Sequence, residues 1–210
     1  MLHYMVTHRA EVTTLIIEHV WLVGISMLLA VAVGVPLGIL LTRRPRLSPA
    51  VLGSTNIIQT IPSLALFGFL LPAPWLGERA DRIAITALTL YALLPIVRNT
   101  FVGIRGVDPA VREAAHAMGL TANQVLFRVE LPLAASIILA GIRTATVISV
   151  GIATIAAAIG AGGLGEFIFR GLAMVNNSLI LTGAVPAALL ALAADLGLGF
   201  AESRWRTPRA

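Results

Sequence analysis

Apolar residues run along this chain in blocks too long to be the core-facing stripe of a soluble helix. Positions 20–41 and 50–71 carry no charge, nor do 83–97, 144–164 and 171–194. A bilayer core takes about 20 apolar residues per spanning helix. Four of the blocks reach that length. The block at 83–97 is shorter but continues as a helix-compatible segment through Arg98 to Arg105, and 131–142 leads into 144–164. Backbone groups cannot be left bare in lipid, so each block is expected to be a helix. The pattern predicts an all-α, polytopic membrane protein with about five transmembrane helices. Residues 1–14 read as a short segment leading into the first span along the interface. Glu11, Glu18 and the length of the apolar run that follows argue against a cleavable signal peptide.

Composition agrees. Of 210 residues, 58% are hydrophobic and 12% charged, and the mean hydropathy is +0.92. A soluble domain carries roughly a quarter charged residues. The absence of cysteine excludes disulfides, thiolate metal sites and cysteine nucleophiles. All fifteen basic residues are arginine. Without lysine there is no P-loop amine for a nucleotide's phosphates and no Schiff base, so any ATP would have to be bound by another chain. The four histidines (His3, His8, His19 and His116) are too dispersed for a metal site.

The net charge of +5 invites a nucleic-acid reading, but the arginines are scattered between apolar blocks and act better as topology signals. Arg43, Arg44 and Arg46 follow the first span, Arg105, Arg112 and Arg128 the third, and Arg204, Arg206 and Arg209 the fifth. With five spans these regions share one side, which the positive-inside rule makes cytoplasmic. Arg9, Arg79, Arg82 and Arg170 fall opposite, Arg79 and Arg82 beside Glu78 and Asp81. The N-terminus is expected outside and the C-terminus in the cytoplasm.

The loop between spans three and four is the most informative segment. Asp108-Pro109 reads as an N-cap followed by proline at the first helical position. Helix formers continue to Met118, and Gly119 can take the left-handed conformation that ends a helix. Thr121 with Gln124 fits a capping box opening a second helix, which leads into Leu131-Pro132 and span four.

Glu113-Ala114-Ala115, Gly119, Val129 and Leu131-Pro132, at these spacings, resemble the EAA loop of bacterial ABC import permeases, EAA-x3-G-x9-I-x-LP, with valine in place of isoleucine. The likeness narrows through Asn56–Ala65, Leu90–Thr100, Gly141–Ala145 and Ile159–Gly165. These segments are similar to the osmoprotectant permeases that import glycine betaine, choline and carnitine; Glu166 stands where that subfamily has aspartate. The resemblance implies the transmembrane domain of a type I ABC importer over 15–201, with a coupling loop at 108–132 and a cytoplasmic tail at 202–210. It implies that Glu113, Ala114, Ala115, His116, Gly119, Leu131 and Pro132 form the coupling site. The partners implied are an ATP-binding cassette ATPase dimer that binds ATP and Mg, an extracytoplasmic substrate-binding protein, and a second permease copy or sister permease. The surroundings are bacterial inner-membrane lipid, and no nucleic acid or cofactor is expected in this chain. Methionine-type permeases share the loop and the glycine run but fit spans two and three less well.

Other features keep two readings each. Asn56, Gln59, Thr60 and Ser63 either make interhelical hydrogen bonds, as is common in membranes, or line a translocation path near Pro62. Arg98 and Arg143 either snorkel to the cytoplasmic interface or act at membrane depth as part of the translocation path. Gly160, Gly162, Gly163 and Gly165 are either a tight connection or, with Pro62, a gate or hinge. Their formal GxGxxG match lacks the βαβ setting a dinucleotide needs. Gly34 and Gly38 suit a helix-packing face. Asp195 is expected at the interface. An intramembrane enzyme would need convergent catalytic groups, and no serine–histidine, paired-aspartate or HExxH arrangement appears. A stand-alone channel or secondary transporter leaves the loop unexplained and would be expected to show an inverted repeat.

Overall fold

A computed structural model of the chain describes residues 7–73, 76 and 79–205. His3, Glu78, Arg206 and Arg209 lie outside the described residues. All regular structure among those described is helical. Four continuous helices are long and apolar enough to cross a bilayer, and a bent helix pair supplies a fifth crossing if counted as one span.

The first helix, α1 (Arg9–Arg43), is longer than the expected 20–41. At 1.5 Å per residue it measures about 52 Å. It continues through much of the segment expected to lie along the interface, where its acidic residues have partners. Glu11 accepts a hydrogen bond from Arg170, and Glu18 accepts one from the Gly163 N–H at 3.0 Å.

The second block is broken rather than continuous. After a turn at Pro45–Leu47, α2 (Ser48–Thr60) and α3 (Ser63–Leu70) meet at a 101° bend. Pro62 has no N–H to donate, and it pushes the residue before it out of helical conformation. Ile61 is extended, at φ −70° and ψ 127°. The helix of the third block, α4 (Ala80–Arg105), includes the arginine-bearing extension the sequence suggested.

After the short α5 (Pro109–Ala117), α6 (Ala122–Val125) passes through a π turn at Leu126–Glu130 directly into α7 (Leu131–Ala156). The expected second loop helix is therefore the base of span four. A 3₁₀ turn at Ala157–Ile159 closes that span, and Gly160 at φ +79° turns the chain away, so 160–164 lie outside the helix. The last block divides as well. The separate α8 (Gly165–Ala173) ends near Val175 at φ 51°, and the Asn176 side chain caps α9 (Asn177–Arg204).

Helix α4 is the centre of the bundle, with α1 and α7 packed along it and α9 on α7. Its apolar window is 56% buried, whereas that of α9 is 28% buried. Leu22, Met27 and Ala30 of α1, Ile83, Ala87, Leu88 and Tyr91 of α4, Phe67 of α3, and Val150 and Ala153 of α7 form the main core. The Gly34/Gly38 pair is the close-approach face. A Cβ at Gly38 would lie 2.6 Å from the Thr100 Cβ and 3.0 Å from the Val97 carbonyl oxygen. Leu28, Val33, Leu189, Leu196 and Phe200 stay exposed, an apolar exterior that hydrocarbon or another apolar chain can cover.

Candidate functional site

The loop of residues 108–132 is built by local chemistry. The Asp108 carboxylate accepts from the Ala110 N–H at 2.8 Å, with Pro109 in the first turn where a missing donor costs nothing. The other end of α5 closes with Gly119 at φ +83°. The Leu120 N–H reaches back to the Ala115 carbonyl at 3.2 Å, and the Gly119 N–H to the His116 carbonyl at 2.9 Å. This paired termination is the Schellman arrangement. The capping box is present: the Thr121 N–H donates to Gln124 Oε1 at 2.8 Å, and the Gln124 N–H to Thr121 Oγ1 at 3.4 Å.

The result is a short helix held away from the bundle. Ala115 is its buried side chain, while Val111, Glu113, Ala114 and His116 are exposed. His116 Nδ1 lies 3.3 Å from the Leu120 carbonyl. Met118 is 74% exposed and Phe127 66%. One carboxylate among small and apolar side chains can offer a docking partner a charge-assisted hydrogen bond and close backbone approach. Leu131 packs with Ile104, Leu126, Ala134 and Ile138 at the base of α7, and Pro132, in the first turn of α7, is exposed.

Beneath the loop lies a group the sequence reading missed. Glu130, the unspecified residue between Val129 and Leu131-Pro132, is 1% exposed. Its Oε2 accepts from Arg43, and its Oε1 lies 3.0 Å from Arg112 Nε. An acid at the mouth of an apolar helix, with Arg43 and Arg112 in the segments that follow the first and third spans, was the available signal.

The polar residues of span two fall at and around its break. Gln59 Nε2 donates to the Tyr91 carbonyl at 2.8 Å, and the Tyr91 hydroxyl donates to the Ile61 carbonyl. That is the interhelical-bonding reading for Gln59. Thr60 bonds back to the Ile57 carbonyl at 2.6 Å, Ser63 is half-buried as the first residue of α3, and Asn56 is exposed.

Arg98 and Arg143 differ. Arg98 is exposed. Arg143 is paired: its Nε donates to Asp195 at 2.7 Å and its Nη1 to Glu202 at 3.1 Å, tying α7 to α9 beside an open cleft of about 430 Å³. Pairing explains why α9 runs on past Asp195 to Arg204.

At the far end of α7, Gly160, Gly162 and Gly163 all have positive φ, between +79° and +83°. The turn packs on α1 through Glu18 and through His19, whose Nε2 lies 3.2 Å from the Val150 carbonyl. At Gly165 a Cβ would sit 1.9 Å from the Thr154 carbonyl oxygen, so only glycine lets α8 start there. The turn is therefore closely packed against α1 and the end of α7. The loop and this turn occupy opposite ends of α7, whose 26 residues measure about 39 Å along the axis.

Comparison with known proteins places this geometry. Residues 34–207 match the family described as binding-protein-dependent transport system inner membrane component. The chain is 46% identical over 193 residues to the carnitine transport permease protein OpuCB of Listeria monocytogenes, covering 92% of this chain and 87% of that protein. It is 50% identical over 178 residues to the glycine betaine/carnitine/choline transport system permease protein OpuCD of Bacillus subtilis, covering 84% and 76%. To the osmoprotectant import permease protein OsmW of Salmonella typhimurium it is 41% identical over 196 residues, covering 92% and 91%. In fold it is similar to a chain of the inward-facing MetNI methionine ABC transporter, with a TM-score of 0.84 at 22% identity over 95% of this chain and 98% of that one.

Proposed function

This chain belongs to the family of binding-protein-dependent transport system inner membrane components, and we propose that within it the chain is the permease subunit of an ATP-driven importer of osmoprotectants such as glycine betaine, carnitine and choline. The observation that carries the substrate class is identity of 41–50% to osmoprotectant permeases over most of the chain. The methionine transporter shares the fold at 22% identity and adds no argument for its substrate.

The membrane subunit has no catalytic role; ATP and Mg are held by a partner ATPase dimer. The exposed helix α5, with Glu113, Ala114, His116 and Gly119, is the surface that ATPase grips, and it lies in the cytoplasm with the C-terminus. The N-terminus and the glycine turn at 160–165 lie outside, where a substrate-binding protein delivers its cargo and the turn forms part of the gate. Asn56, Thr60, Ser63 and Arg98 contribute to the path; Pro62 fixes the bend beside it, with Gln59 holding the break closed. Arg143 keeps α7 and α9 together at its inner end.

Closure of the ATPase dimer shifts an equilibrium between inward- and outward-facing arrangements of these helices. Five crossings from one chain do not enclose a gated path, so two permease chains pair about a two-fold axis. Reconstitution of the chain with its ATPase and binding protein tests the reading. Uptake of labelled glycine betaine, choline or carnitine is expected only with ATP and all components present. Gradient-driven uptake by the chain alone would overturn it, and uptake of methionine but of no quaternary amine would overturn the substrate class.

A further inference from the structure

A push on one short exposed helix can reach the spans only through the contacts that helix makes. Helix α5 has little hold on the bundle of its own. Ala115 is its one buried side chain, flanked by Val107 before it and Val125 after it. Hydrophobic contact of that size would let the helix tilt on the turns at Gly106 and Gly119.

The polar contacts are different. Glu130 is among the most deeply buried large side chains, and both its oxygens face guanidinium groups from other elements. Arg43, on Oε2, belongs to the last turn of α1. Arg112, on Oε1 at 3.0 Å, belongs to α5 and also donates to the Ile104 carbonyl at the end of α4. The π turn at Leu126–Glu130 places this carboxylate inward while Phe127 points out. Such wide turns add a residue and shift the phase of the helix beyond them.

We infer that Glu130 is a positioning residue that locks α5 to the inner ends of α1, α4 and α7, so that force on α5 moves three spanning helices as one body. The bond from Arg43 is charge-assisted and directional; Arg112 Nε meets the buried carboxylate as an ion pair at 3.0 Å without hydrogen-bond alignment, and its guanidinium is anchored by the bond to the Ile104 carbonyl. The lock is a fixed connection: it transmits motion without itself changing. The inference rests on the reading of residues 108–132 as the ATPase-coupling loop.

The test uses the assembled transporter in proteoliposomes. Glu130→Gln keeps the shape and removes the charge, and Arg112→Gln removes one arm. Because the chain has no cysteine, nitroxide labels at Leu40→Cys and Ala110→Cys, both exposed positions, report the α1–α5 distance. In the parent the distance distribution is expected to be narrow and the same with and without trapped ATP. In either variant it should broaden and depend on nucleotide, and uptake per ATP hydrolysed should fall on the order of tenfold, a usual size for coupling between sites.

Parent-like coupling and distances in both variants would overturn the lock. So would a lost ratio with an unchanged narrow distance, which would mark a local effect. Should Glu130→Gln fail to insert, Arg112→Gln decides by the same two readouts. Parent-like coupling in Glu113→Trp and Gly119→Val would bring down the loop assignment itself.

Discussion

Gly119 allows the coupling reading to be tested with energies taken from the turn itself. Its φ is +83°, and a Cβ built on it meets no heavy atom within 4 Å. Alanine there has no clash inside this chain, only the left-handed backbone strain of roughly 1–2 kcal/mol. Unwinding the turn to escape that strain gives up two hydrogen bonds, Leu120 N–H to Ala115 and Gly119 N–H to His116. Each contributes about 0.5–1.5 kcal/mol. Strain and bonds are comparable, so Gly119→Ala should raise the unwound population by about tenfold, 1.4 kcal/mol being one decade.

Asparagine tolerates this conformation better than alanine although it is larger. Uptake per ATP in proteoliposomes should therefore rank glycine first, then asparagine, alanine and valine. Alanine above asparagine would show that volume at the ATPase contact matters instead of backbone angle, and equal ratios for all four would refute the reasoning.

Two further outcomes follow from packing and charge. Gly38→Ala forces a Cβ to 2.6 Å from Thr100. That should cost about 1–3 kcal/mol and lower the thermal unfolding midpoint in detergent. Gly24→Ala, with nothing within 4 Å, should leave the midpoint unchanged or raise it through helix propensity; equal losses would contradict the α1–α4 interface. Arg143→Leu takes the arginine from between Asp195 and Glu202 and should destabilise the α7–α9 pair. Adding Asp195→Leu should return part of the loss, since the pair acts as a unit; strictly additive midpoints would mean the contact carries no energy.

Residue pattern foretold the apolar helices, because hydrocarbon leaves the backbone no other choice, and it foretold the caps at Asp108, Gly119 and Thr121, which are decided within four residues of chain. Span ends were less legible. The blocks at 20–41 and 171–194 read as ending at charges, but Glu11, Glu18, Asp195 and Glu202 all find partners on distant elements. Hydropathy sees a charge and not its partner. The 101° break in span two was visible only as Pro62; the bonds that Gln59 and Tyr91 make across it join residues some 30 positions apart and left no local signal. Glu130 was missed because a motif written with an unspecified position directs attention away from that position. The burial of Glu130 comes from a π turn that no local signal announces.

The central claim is that residues 108–132 face the cytoplasm and are gripped by an ATPase. A single cysteine introduced as Ala114→Cys into this cysteine-free chain, challenged with a membrane-impermeant maleimide, tests it directly. The account predicts labelling in inside-out vesicles, none in right-side-out vesicles, and protection once the ATPase subunit is bound. Labelling from the outer face, or equal labelling with and without the ATPase, would contradict it.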